Sequence, residues 1–142
     1  MAVVNPYVNY SGDCEEAFEL YKSVFGGDFA TKMRWSDNPD CGEMPDEAKN
    51  KIMHISLPIG ETVLMGSDTP ESMGGAQRGN AYTVAIGSSD LAETEKIFNG
   101  LSDGGSVTMP LQKTFWGATF GMLTDKYGVQ WLINCDDGGQ QQ

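Results

Sequence analysis

Apolar and polar positions change period several times along this chain, and each change marks an element. Residues 3–10 alternate, with Asn5, Tyr7 and Asn9 on one face and Val4, Val8 and Tyr10 on the other, which predicts a strand from Val3 to Tyr10. The period then lengthens: Cys14, Ala17, Phe18, Tyr21, Val24 and Phe25 form one stripe of a helix. Asp13 is its predicted N-cap, Glu16 completes a capping-box pattern, and Gly26 and Gly27 stop it. Asp28 to Trp35 reads as a strand, whereas Ser36 to Asn50, rich in Pro, Asp, Glu and Gly, has no period and reads as a long loop, either a lid or a disordered segment. Lys51–Pro58 and Glu61–Gly66 form a hairpin turning at Ile59 and Gly60, with His54, Ile52 and Ser56 expected on one strand face. Residues 67–80, SDTPESMGGAQRGN, have the composition of a connector.

The pattern starts again at Ala81. A strand to Ile86, a helix from Asp90, a stop at Gly104 and Gly105 and a strand around Ser106–Leu111 lead into a hairpin of Phe115–Thr124 and Val129–Asn134, turned by Asp125, Lys126, Tyr127 and Gly128. Setting Asp13 against Asp90 also sets Glu16 against Glu93, Cys14 against Leu91, Tyr21 against Phe98 and Val24 against Leu101. One offset shared by a cap and an apolar stripe points to two βαβββ units, about 1–67 and 80–136, within a single domain. The expected fold class is α+β: an eight-stranded, mostly antiparallel open sheet around a cleft, with helices packed outside. Phe115, Trp116, Phe120, Tyr127 and Trp131 concentrate aromatic rings in the last hairpin and are expected to serve as core and pocket wall.

Charge narrows the partners. A net charge of -11 opposes nucleic acid and other polyanions, which are held by clustered Lys and Arg. No apolar run reaches the length of a membrane span, so no membrane partner is expected. The start, MAVVNPYVNY, has no basic region followed by a long apolar stretch, and a cytoplasmic location is expected. Cys14, Cys41 and Cys135 lack metal-type spacing and are expected as reduced thiols, with Cys41 the accessible one. Glu15, Glu16, Glu19, Glu93 and Glu95 read as solvated faces near helix starts, Asp125 as a turn former and Glu61 as an exposed corner.

Three blocks carry a resemblance: PYVNYSGDCEEAFELYKSVFGGDF at residues 6–29, MHISLPIGETVLMGSD at 53–68 and QKTFWGATFGMLTDKYGVQWLIN at 112–134. Together they resemble the vicinal oxygen chelate superfamily of glyoxalase I, extradiol dioxygenases and bleomycin resistance proteins, and within it the PhnB-like branch. Some members of that branch are labelled demethylubiquinone methyltransferase-like, but no glycine-rich nucleotide loop opens a helix after a strand here, which gives that activity little weight. The superfamily's enzymes hold a divalent metal with side chains from the first and last strands of each unit. Matching the end hairpins, Gly60–Met65 against Gly128–Ile133, places Leu64 and Leu132 where a carboxylate is usual, while Asn5 and Tyr82 fall near the starting-strand positions. None offers the expected donor, so no metal and no other cofactor is expected. The resemblance then implies a cleft lined by Tyr7, Asn9, His54, Leu64, Tyr82, Trp116 and Leu132 that binds a small organic ligand, in a homodimer. The alternative is a lyase or isomerase of glyoxalase type, dependent on a metal or on His54. As the chain's only imidazole, His54 is the candidate catalytic residue. A purely structural or interaction module is the third reading, with no marked apolar patch to favour it.

Overall fold

The computed structural model describes residues 2–40, 42 and 44–136. The chain divides into two compact units, Met1–Gln77 and Arg78–Gln142. The first contains β1 (Tyr7–Tyr10), α1 (Cys14–Phe25), β2 (Thr31–Arg34), α2 (Asp46–Lys49), β3 (Ile52–Ile59) and β4 (Thr62–Asp68). The second contains β5 (Val84–Ser88), α3 (Leu91–Ser102), β6 (Ser106–Lys113), β7 (Thr119–Thr124) and β8 (Gln130–Cys135). The expected eight strands are present among the described residues, mostly antiparallel, as two four-stranded sheets ordered β1-β4-β3-β2 and β5-β8-β7-β6. In each sheet the unit's first strand lies parallel to its last and the remaining pairs are antiparallel.

Each helix lays its apolar stripe on one face of its own sheet. In the first unit Ala17, Phe18, Tyr21 and Val24 of α1 are buried with Tyr10, Ile55, Leu57 and Leu64. In the second, Thr94, Ile97, Phe98 and Leu101 of α3 are buried with Leu123, Trp131 and Ile133. Two strand glycines admit these helices. A Cβ on Gly66 would stand 2.7 Å from the Phe18 ring, and one on Gly121 would stand 2.7 Å from the Phe98 ring. The close approach needs a residue without a side chain on β4 in one unit and on β7 in the other.

Several boundaries differ from expectation for local reasons. β1 begins at Tyr7 and not Val3: Pro6 has no N–H to give a ladder, and Val3 and Val4 stand exposed. The long loop contains a one-turn 3-10 helix, Trp35–Asp37, and the short α2; Cys41, expected to be accessible, lies outside the described residues. Residues 115–118 are a turn and not strand, closed by the Thr114 N–H donating to the Ala118 carbonyl at 2.7 Å. Phe115, expected in core or wall, is therefore 98% exposed, and of the hairpin's five rings Trp131 alone is fully buried. Ile52 does not share a face with His54. The β2–β3 register shifts there, pairing Met33 with His54 and Arg34 with Ile52, and the bulge turns Ile52 into the core beside Ile55.

The start of α1 is also built differently from its reading. Asp13 makes no side-chain cap bond. Asp68, at the end of β4 and 3% exposed, takes its place: Oδ1 accepts the N–H of Gly12 at 2.8 Å and of Cys14 at 3.0 Å, and Oδ2 accepts that of Ile52 at 2.9 Å. One carboxylate thereby joins the end of β1, the first turn of α1 and the start of β3 to β4. Glu15, expected as a solvated face, is instead gripped from β2. Arg34 donates to both its oxygens at 2.9 and 2.8 Å, and the Lys32 ammonium lies 2.7 Å from Oε2. These hydrogen bonds, from Arg34 first and then Lys32, lower the Glu15 carboxyl to about 2, and Glu15 in turn holds Arg34 above its ordinary value.

Candidate functional site

Strand alternation puts every second side chain of the first sheet on the face away from α1. In β1 these are Tyr7 and Asn9. The parallel ladder pairs Tyr7 with Met65 and Asn9 with Ser67, and the next strand pairs Met65 with Ser56, so all five share that face with His54, two residues before Ser56. The burial of their neighbours fixes the assignment, since Tyr10, Ile55, Leu57 and Leu64 fill the core on the other side.

Two groups on this face touch. The Tyr7 hydroxyl lies 3.2 Å from His54 Nδ1, and the two rings stack with centroids 5.7 Å apart and planes inclined by 29°. Neither is sealed in the core: Tyr7 is 45% exposed and His54 is half-buried. Next to them the Ser67 hydroxyl lies 3.2 Å from Asn9 Oδ1. Among the described residues Nε2 of His54 has no hydrogen-bond partner. The proton on the Tyr7–His54 bond decides what that nitrogen does. When the phenol donates to Nδ1, neutral imidazole carries its proton on Nε2 and offers a donor; when Nδ1–H donates to the phenol oxygen, Nε2 offers a lone pair. One geometry therefore provides either a binding donor or a base.

Within the first unit, Leu64 is not brought to this pair. Leu64 lies on the opposite face, 2% exposed in the α1 core. The alignment that set it against Leu132 slips by one residue, because β3 and β4 are joined by a tight turn with Ile59 opposite Thr62, whereas β7 and β8 are joined by a longer one with Thr124 opposite Gln130. By ladder position it is Met65, opposite Tyr7, that matches Leu132, opposite Ala85. Leu132 does face away from α3, with Met122 as its neighbour on β7. Tyr82 lies ahead of β5, 90% exposed, and only its carbonyl is engaged, accepting from Gln130 Nε2 at 2.7 Å. Trp116 sits in the turn before β7, 56% exposed, edge-on to Phe115 and Phe120. Asn5 spends its side-chain oxygen on the Val63 N–H at 3.0 Å. Met65 and Ser67, which period alone does not mark, join the face through the parallel pairing of first and last strands.

Among the described residues no three His, Cys, Asp or Glu side chains come together as a ligand set. Met65 and Leu132, the matching positions on the two last strands, offer no oxygen or nitrogen donor. Asp68 and Asp125 are buried carboxylates, but both are spent on the fold. Asp125 takes the N–H of Tyr127 at 2.8 Å, of Val129 at 3.0 Å and of the Trp131 indole at 2.9 Å, as the turn it was expected to shape requires. Among the described residues no helix is long and apolar enough to cross a membrane.

Comparison with known proteins agrees with this architecture. A family model described as the Glyoxalase/Bleomycin resistance protein/Dioxygenase superfamily matches residues 4–133. Protein YjdN of Escherichia coli (strain K12) is 29% identical over 141 residues, covering 92% of this chain and 93% of its own. The crystal structure of protein PA1353 from Pseudomonas aeruginosa is similar at 36% identity and a TM-score of 0.84, covering 97% of this chain and 100% of that one. A PhnB protein from Bacillus cereus shares the fold at 22% identity and a TM-score of 0.74, over 94% of this chain and 99% of its own.

Proposed function

The chain belongs to the glyoxalase/bleomycin resistance protein/dioxygenase superfamily, and we propose that within it the protein binds a small organic molecule against the sheet face carrying Tyr7 and His54, without the metal usual in the superfamily. The observation that carries this reading is the 3.2 Å contact between the Tyr7 hydroxyl and His54 Nδ1, which orients an exposed-edge imidazole whose Nε2 is left for a guest. Asn9 and Ser67 supply further polar groups on the same face, and Met65 an apolar, adaptable floor. A ligand with a carbonyl or similar acceptor and a modest apolar body suits that set. We read the protein as a cytoplasmic homodimer; light scattering that finds only monomer would remove the dimer.

Because the chain has one histidine, its imidazole resonances report on this face without ambiguity. Titration with a panel of small keto acids and aryl ketones is expected to move them saturably. Tyr7→Phe, which keeps the reporter, should weaken that binding about fivefold, the worth of one hydrogen bond. A panel that never moves the resonance would end the binding reading. The tautomer in which Nδ1–H donates to the Tyr7 oxygen leaves a lone pair on Nε2 and favours a second reading, a lyase or isomerase using His54 as base or ligand. A melting midpoint raised by nickel, zinc, manganese or iron(II), with the rise lost in His54→Ala, would put that reading first.

A further inference from the structure

At the C-terminal ends of β1 and β4 the first unit has a cleft, open to solvent, of about 350 Å³ whose described lining includes neither Tyr7 nor His54. The volume falls within the range of small-molecule sites, roughly 300–1,000 Å³. Its apolar walls are Trp35, Pro45 and Pro70. The Trp35 indole N–H is already spent, donating to the Asp68 carbonyl at 3.1 Å, so what the indole offers a guest is ring surface. The Asp68 carboxylate is likewise committed, to three backbone N–H groups.

The unspent groups include the hydroxyls of Thr69 and Ser72 and several charged side chains. Glu47 and Glu71 line the cavity, are exposed, and have no ion-pair partner among the described residues. Lys51 is the only cation among the described lining residues; its stem runs past Gly12, with Cε 3.8 Å from where a Cβ on that residue would stand. Carboxylates thus outnumber ammonium groups around the cavity, on a chain of net charge -11. An aromatic wall with carboxylates beside it is the chemistry that holds an organic cation. We infer that this cavity is a second binding site, for a small organic ammonium compound. The apolar body of the guest rests against Trp35 and Pro70, its ammonium faces Glu47 and Glu71, and Lys51 acts against it as a like charge.

The sign of the charge effects makes the inference testable on the full-length chain. The three tryptophans give three indole N–H resonances, of which Trp35 reports on the cavity and Trp131 on the second unit's core. 2-Phenylethylammonium is expected to move the Trp35 signal saturably and leave that of Trp131 in place. Replacing both exposed carboxylates, Glu47→Gln with Glu71→Gln, should weaken binding about two- to tenfold, and Lys51→Met should tighten it about two- to fivefold. Phenylacetate and 2-phenylethanol, the anionic and neutral counterparts, should bind more weakly than the amine. Preference for phenylacetate with loss in Lys51→Met would overturn the inference in favour of an anion site. Equal binding of all three compounds would reduce the cavity to an apolar hollow, and a Trp35 signal unmoved at tens of millimolar amine would remove the site.

Discussion

The two units carry helices of equal length on sheets of equivalent strand order, yet they fasten those helices differently. Asp90 caps α3 from the adjacent position, its side chain accepting the N–H of Ala92 and Glu93. The corresponding Asp13 caps nothing through its side chain, and α1 is held by Asp68, 54 residues beyond Cys14. A local cap secures a helix; a distant one secures a helix and the strands around it together. The faces away from the helices differ as well. The first unit presents Tyr7, Asn9, His54 and Ser67, whereas the second presents Ala85, Phe120, Met122 and Leu132 together with Thr124, Gln130 and Asn134. Both faces carry hydrogen-bonding side chains, but only the first carries an imidazole, His54, that can exchange a proton near neutral pH.

The sharpest way to break the comparison is Asp68→Ala. It strands three N–H groups at once, two of them in buried bonds, and should cost roughly 3–5 kcal/mol, read from the urea midpoint. The paired substitutions Asp90→Ala and Asp13→Ala sharpen it: the first should lose about 1 kcal/mol and the second stay within ~0.5 kcal/mol, reversing the expectation from spacing that the two are equivalent. If Asp13→Ala costs as much as Asp90→Ala, the distant cap is not the operative one.

A further small effect is expected for Glu15→Gln. Its folded carboxyl is lowered from 4.5 to about 2, so its contribution is present above about 4.5 and is lost as pH falls toward 2. With its side chain 39% exposed, that contribution should not exceed about 1 kcal/mol. Urea midpoints of the native chain and the variant should differ at pH 6, draw together below about pH 4.5 and converge only as pH falls to about 2, and the gap should shrink with added salt.

Most of this architecture could be read along the chain because period, cap residues and glycine stops are local signals. α1 and α3 keep the offset read from Asp13 and Asp90, and Ala17, Tyr21 and Val24 match Thr94, Phe98 and Leu101 in burial. Leu91 does not match Cys14 and is 41% exposed, since only α1 has its first turn pinned down by a strand carboxylate. The side-chain partners were less legible. Which face Leu64 takes depends on turn length, Ile52 is turned by a bulge, and Asp68 resembles an ordinary polar residue after a strand until its three donors arrive from elsewhere. The pairing of Tyr7 with His54 needs β4 inserted between their strands, and nothing near either residue announces it.

That insertion has a consequence for how the chain comes off the ribosome. β1 is made before the other strands of its sheet, and among the described residues its sheet neighbour is β4, so it waits unpaired while α1, β2 and β3 are synthesised. Its ladder, Tyr7 to Met65 through Tyr10 to Asp68, closes a long loop late, and the entropy of that closure is spent before any contact rewards it. Until then the growing chain exposes a free strand and an open β3 edge, the kind of surface that holdase chaperones bind.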